Sequence, residues 1–364
     1  MAFLKKHITF VLGFLPGVFF LIVVAALTFL ATKGLDWGYV TATDIDTYAF
    51  LGVHQRILEG LASGNIKQAF TYAFYNYGYV YFLLNTLFIA PFSGFEWGWI
   101  LMPRLLSLGW TMGTLWLIYR MTKRVSGPLV GIMMVSLVLS LPFFIKAAIW
   151  THPEMMMLFF LVAMFERLLL SVDHKRFLQA ALYFGLAVGV KFQAITMAPL
   201  LGVVGVLWLY RFPKIQTVKT MVFSFFTILA GYLIVNPHML HPRGQYLFWT
   251  MLRENILSNA NNHGTGISVT FLEKMYMVLQ CYFSPISLGV FFCVTVWGVL
   301  SIRQCLFGRD VWIGLWVTLV INWGILLGSV SKLWPHYYLV VAVFSVIGGL
   351  QFLFGYRDCC EIDI

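Results

Sequence analysis

Apolar residues in this chain run together in blocks of about twenty, the length at which a helix crosses a bilayer. The first block, Ile8 to Ala31, follows Lys5-Lys6-His7. It is longer than the apolar core of a secretory signal and lacks a clear small-residue cleavage site, so it reads as a retained first span. Further blocks lie near 101–120, 128–145, 155–171, 178–192, 194–210, 220–236, 284–302, 311–330 and 338–355. The pattern predicts an all-α polytopic membrane protein of about ten transmembrane helices. They form a single transmembrane domain over 1–364.

The polar breaks between the blocks set the orientation. With the N-terminus in the cytoplasm, the inner loops carry Arg120, Lys123 and Arg124, then His174, Lys175 and Arg176, then Arg211, Lys214 and Lys219, then Arg303 and Arg309. Each is short and basic, as insertion demands, and both termini fall in the cytoplasm. Two outer segments are long: 33–99 and 237–283. The first holds Tyr72, Phe74, Tyr75, Tyr77, Tyr79, Tyr81 and Phe82, which favour the headgroup level. The second holds an amphipathic stretch, Tyr246, Trp249, Leu252, Arg253 and Ile256, followed by a polar loop around Asn259 to Gly266. Interfacial helices are therefore expected in the first and fourth outer loops, with a mobile substrate loop after the second of them.

Composition removes the soluble alternatives. Of 364 residues, 60% are hydrophobic and only 10% charged, against about 25% charged in a soluble domain. Mean hydropathy is +0.85. The net charge of +10 sits mainly in the inner loops, so it argues for membrane insertion and no nucleic-acid partner. The five cysteines show no metal-ligand spacing. Cys359-Cys360 read equally as a palmitoylation site or as two unmodified thiols.

The acidic residues number 14, and eight fall outside: Asp36, Asp44, Asp46, Glu59, Glu96, Glu154, Glu254 and Glu273. The skew points to an outward-facing site that uses carboxylates. Thr43-Asp44-Ile45-Asp46-Thr47-Tyr48 opens a segment of helical periodicity. Asp44 reads as its cap, and Asp46 as a general base able to take a proton from an attacking hydroxyl. In Trp150-Thr151-His152-Pro153-Glu154, the carboxylate either faces a wet cavity or answers the helix dipole behind Pro153. Lys191 ends an apolar run; it either snorkels or binds a lipid phosphate. Asn236-Pro237-His238-Met239-Leu240-His241-Pro242-Arg243 and Lys332-Leu333-Trp334-Pro335-His336-Tyr337-Tyr338 add basic and aromatic groups outside. His238 and His241 around prolines are not a specific metal pattern.

Taken in order, these motifs resemble polytopic glycosyltransferases of the C-type fold. That superfamily includes the protein O-mannosyltransferases, lipid A aminoarabinose transferases and oligosaccharyltransferase catalytic subunits. The resemblance covers about 8–345. It rests on Asp44, Asp46 and Tyr48, the Tyr77-Gly78-Tyr79-Val80-Tyr81-Phe82 stretch, Arg104, Pro153-Glu154, Gly185 to Lys191, Asn236-Pro237 and Pro335-His336-Tyr337-Tyr338. It implies transfer of a sugar from a polyprenyl-phosphate carrier to a hydroxyl of a glycan, lipid or protein acceptor, with inversion. The place would be the outer face of a plasma, inner or endoplasmic reticulum membrane.

The resemblance assigns the family's first-loop carboxylate to Asp46, or to Asp44, and its second-loop acid to Glu154, where aspartate is commoner. The carrier phosphate would meet Lys191, Arg243 or Lys332. Tyr48, His152, His263, His336 and Tyr337 would contact substrate. Some relatives use a divalent cation, and magnesium or manganese between Asp44 and Glu154 stays open. A lipid or anion transporter, or a non-catalytic membrane subunit of a glycan-assembly complex, is the rival reading. A transporter would place ionisable groups near the bilayer midplane in broken helices.

Overall fold

A computed structural model describes residues 2–43, 45–70, 77–169, 173–260, 269–282, 309–328 and 335–354. Among them the architecture is all-helical, and the one β-type pairing is an isolated antiparallel bridge between Tyr77 and Lys191. The helices are α1 (Ala2–Ala31), α2 (Trp37–Thr43), α3 (Ile45–Ala62), α4 (Ile66–Ala69), α5 (Tyr79–Ile89), α6 (Glu96–Ser126), α7 (Pro128–Leu139) and α8 (Pro142–Ala148). They continue as α9 (Glu154–Leu169), α10 (His174–Val190), α11 (Ala198–Arg211), α12 (Lys214–Val235), α13 (Pro242–Ala260), α14 (Phe271–Tyr282), α15 (Arg309–Gly328) and α16 (Leu339–Phe354).

Among the described residues, four segments can cross a membrane by length and apolarity alone, Phe14–Ala31, Phe192–Arg211, Lys214–Val235 and Asp310–Gly328, or five if the bent pair Pro128–Leu139 and Pro142–Ala148 is one span. The expected spans 101–120, 155–171, 178–192 and 338–355 coincide with α6, α9, α10 and α16. The expected span 284–302 lies outside the described residues. The expected third span, 128–145, falls on two helices, α7 and α8, bent by 84° where they meet. The cause is local. The Ser140 hydroxyl donates to the Leu137 carbonyl and closes α7. Pro142 disfavours the helical region for Leu141, which is extended at φ −73°, ψ 113°. The helix then restarts with proline at its first position.

α9 sits at the centre, with Met155–Leu158, Leu161–Glu166, Leu168 and Leu169 buried. α10 packs on α9 and on α12. The α10–α12 contact is backbone to backbone. A Cβ on Gly185 would stand 2.2 Å from the Ile228 carbonyl oxygen, and one on Gly231 2.8 Å from that of Leu182. Gly185 and Gly189 have the four-residue spacing that lets membrane helices touch closely. The opposite side of α12 exposes Phe223, Phe225, Phe226 and Ile234, a lipid-facing surface. Gly185→Ala should therefore cost about 1–3 kcal/mol by overpacking. Gly202, with nothing within 4 Å of its built Cβ, is the control. Equal thermal unfolding of the two alanine variants in detergent would refute this account of the contact.

Polar contacts collect at the two ends of the bundle. At one, Arg104 of α6 donates to the carbonyls of Ala31, Lys33 and Gly34, filling the unmatched end of α1. Lys274 does the same for α15 through the Leu327 carbonyl. The Asn236 amide joins α12 to α10 through the Gly189 carbonyl at 2.8 Å. At the other end, Arg120 pairs with Glu166 and Arg211 with Asp310. The basic-loop pattern of the sequence predicts that the first end faces outside. Single cysteines at Ser63 and Lys123, both exposed, test that assignment. Position 63 should label from outside and position 123 only after permeabilisation; the reverse would invert the topology.

Candidate active site

The N-terminal end of α9 and the C-terminal end of α10 build a charged site inside the protein. Pro153 leads into α9, so Glu154 opens the helix, 1% exposed. α10 runs antiparallel beside it and stops at Lys191, whose backbone is extended at φ −150°, ψ 120°. That extended residue pairs with Tyr77, and the Gly78 N–H donates to the Val190 carbonyl at 2.9 Å. Position 78 must be glycine: a Cβ there would meet Val235 at 2.4 Å and the Gly189 oxygen at 2.7 Å. The close approach delivers the Tyr77 ring to the end of α10.

Lys191 Nζ lies 2.5 Å from Glu154 Oε1. The lysine side chain is 6% exposed, so it does not snorkel. Its ammonium lies 5.4 Å from the centre of the Tyr77 ring and 5.9 Å from that of Tyr337, within cation–π range. Among the described residues Glu154 Oε2 has no hydrogen-bond partner, and His152 Nδ1 stands 3.5 Å away. His152 is held between two rings, stacked on Trp150 at 4.0 Å and against Phe50 at 5.2 Å. His336 contacts Trp150 and Tyr337. The Gln193 amide donates to the Tyr337 carbonyl at 2.8 Å, and the Tyr282 hydroxyl donates to the Pro335 carbonyl. Both contacts fix the turn that carries His336.

Of the residues expected from sequence, Glu154, Lys191, His152, His336 and Tyr337 are thus brought together. Asp46 and Tyr48 are placed by backbone alone, in the first turn of α3. Asp46 stands one helical turn before Phe50, which packs on His152 and Tyr77. Arg243 is exposed at the start of α13, and among the described residues no hydrogen bond or ion pair joins it to Glu154 or Lys191. Asp44, His263 and Lys332 lie outside the described residues.

Sequence reasoning treated Glu154 and Lys191 separately and missed their pairing. The signal was present: opposite charges at the end of one span and the start of its antiparallel neighbour. It also missed Phe50, Tyr282 and Lys146, whose ammonium covers Trp150 at 5.1 Å. Among the described residues no group of three His, Cys, Asp or Glu side chains is arranged for a metal ion.

No family model matches the chain, and no curated protein matches it in sequence. Its fold does match solved structures. ArnT from Cupriavidus metallidurans bound to undecaprenyl phosphate aligns with a TM-score of 0.63 at 14% identity, covering 92% of this chain and 60% of that one. The same protein in the apo state aligns with a TM-score of 0.57 at 13% identity, over 92% and 58%. The chain therefore spans about three fifths of the length of those structures. At these identities the match is one of fold: the chain shares the helical architecture of the two ArnT structures.

Proposed function

We propose that the protein is a membrane glycosyltransferase that takes one sugar from a polyprenyl-phosphate carrier and passes it to a hydroxyl acceptor at the extracytoplasmic face. The observation that carries this reading is the buried Glu154–Lys191 pair, set among His152, His336, Tyr77 and Tyr337, in a fold shared with an undecaprenyl-phosphate-bound protein. An ammonium held in a water-poor setting suits a phosphate that gains charge as the sugar departs. Glu154 fixes that ammonium in place. Arg243 and Lys332 supply further phosphate contacts, and Tyr48, His152, His263, His336 and Tyr337 contact the substrates.

In the reaction, the acceptor oxygen attacks the anomeric carbon while the bond from that carbon to the phosphate oxygen breaks. Asp46 accepts the hydroxyl proton, and polyprenyl phosphate leaves with the bonding pair. Attack from the face opposite the leaving group inverts the configuration. Phosphate is a good leaving group, so orientation and charge stabilisation do most of the catalytic work.

Purified protein incubated with a panel of undecaprenyl- and dolichyl-phosphate sugars, followed by mass spectrometry, tests the proposal. Release of free polyprenyl phosphate with appearance of a glycosylated acceptor is expected. Movement of intact carrier lipid across vesicles without cleavage would favour transport instead.

A further inference from the structure

The bundle end remote from Glu154 and Lys191 holds a second buried carboxylate. Glu166 lies near the end of α9, 1% exposed. At 1.5 Å per residue it stands about 18 Å along the helix from Glu154. Arg120 of α6 grips it with Nε at 2.7 Å and Nη2 at 2.6 Å. Arg124, one turn further along α6, approaches the same carboxylate at 3.7 Å, and Arg167 Nε lies 4.0 Å away.

One carboxylate thus faces three guanidinium groups, and the bidentate Arg120 contact already satisfies it. The C-terminal dipoles of α6 and α9 each add about half a negative charge. The cluster still carries an excess of about one positive charge, before the exposed Lys123 beside Arg124 is counted. Arg167 Nε is buried with no hydrogen-bond partner among the described residues, while 49% of the Arg124 side chain is open. Among the described residues, two guanidinium groups therefore lack a full anionic counterpart.

We propose that Arg124 and Arg167 bind the phosphate of an anionic phospholipid headgroup, at the membrane face opposite the Glu154–Lys191 site. The guanidinium fork matches phosphate oxygens in pairs, and basic pockets between membrane helices suit such headgroups. The surroundings favour a lipid over soluble phosphate. Trp116, one turn before Arg120 on α6, is 50% exposed, and Leu129 and Met133 of α7 are 50% and 47% exposed. Along α6, an apolar face for acyl chains leads directly to the cationic end.

Native mass spectrometry of the full chain in detergent tests this with phosphatidylglycerol, phosphatidylcholine and inorganic phosphate as separate probes. The wild type should retain phosphatidylglycerol over phosphatidylcholine. Arg124→Gln/Arg167→Gln should weaken that retention at least tenfold, with thermal unfolding preserved because Arg120 still holds Glu166. If the double variant fails to fold, Arg124→Gln alone, at a half-exposed position, should still lower retention severalfold. Equal retention of both lipids by the wild type, or undiminished retention by the folded variant, overturns the proposal. So does binding of inorganic phosphate without lipid preference, which would make the site one for a soluble anion.

Discussion

Lys191→Met should destabilise the protein by about 3–5 kcal/mol, the usual cost of removing one partner from a buried ion pair. Glu154, 1% exposed, would keep its charge with no ammonium beside it, or would have to take up a proton to lose it. Glu154→Gln/Lys191→Met, which removes both charges, should recover most of the loss. Thermal unfolding in detergent reads the cycle. A single variant as stable as the wild type would mean that the pair contributes nothing to the fold. The double variant also isolates function, since it folds without the ammonium. Loss of one charge-assisted contact is worth about 1.5–3 kcal/mol, so its affinity for the polyprenyl-phosphate donor should fall by about ten- to a hundredfold. Unchanged donor affinity there would confine Lys191 to a structural role.

Read from sequence alone, Lys191 stands isolated in an apolar run, and methionine looks harmless to the fold. The opposite expectation comes from a partner 37 positions away. This marks the boundary of what the sequence makes legible. Long apolar blocks announce α1, α11, α12 and α15, because lipid selects side chains residue by residue along a span. The break before α8 was also visible, as Ser140-Leu141-Pro142, but block length outweighed it. Pairings between helices are set by packing, which no local pattern encodes. Glu166 reads as a carboxylate near a helix end with Arg167 beside it. Its actual bidentate partner is Arg120, on another helix. The resemblance to C-type glycosyltransferases gathered His152, Glu154, Lys191, His336 and Tyr337 as candidates, and the fold brings them to one place. It could not foresee that Lys191 reaches Tyr77 through a backbone bridge, because that contact depends on Gly78 fitting against Val235 and Gly189.

Asp46→Asn should lower sugar transfer by about 10²–10⁴-fold, the usual contribution of a general base. The substitution keeps side-chain volume, so expression and donor binding should match the wild type. Only the capacity to take the acceptor proton is lost. Asp46 belongs to the first turn of α3, and Phe50, one turn later, packs against His152 and Tyr77. A base on this turn therefore belongs to the helix that borders the Glu154–Lys191 site. Asp44→Asn should cost less, since a helix cap contributes about 1 kcal/mol to stability and nothing to proton transfer. The pH profile separates the two. In the wild type, the rate should fall on the acid side as the carboxylate takes up a proton, and Asp46→Asn should flatten that limb while Asp44→Asn preserves it. Near-normal transfer by a well-folded Asp46→Asn protein would remove Asp46 from the mechanism and pass the role to Asp44 or to Glu154, whose Oε2 has no hydrogen-bond partner among the described residues.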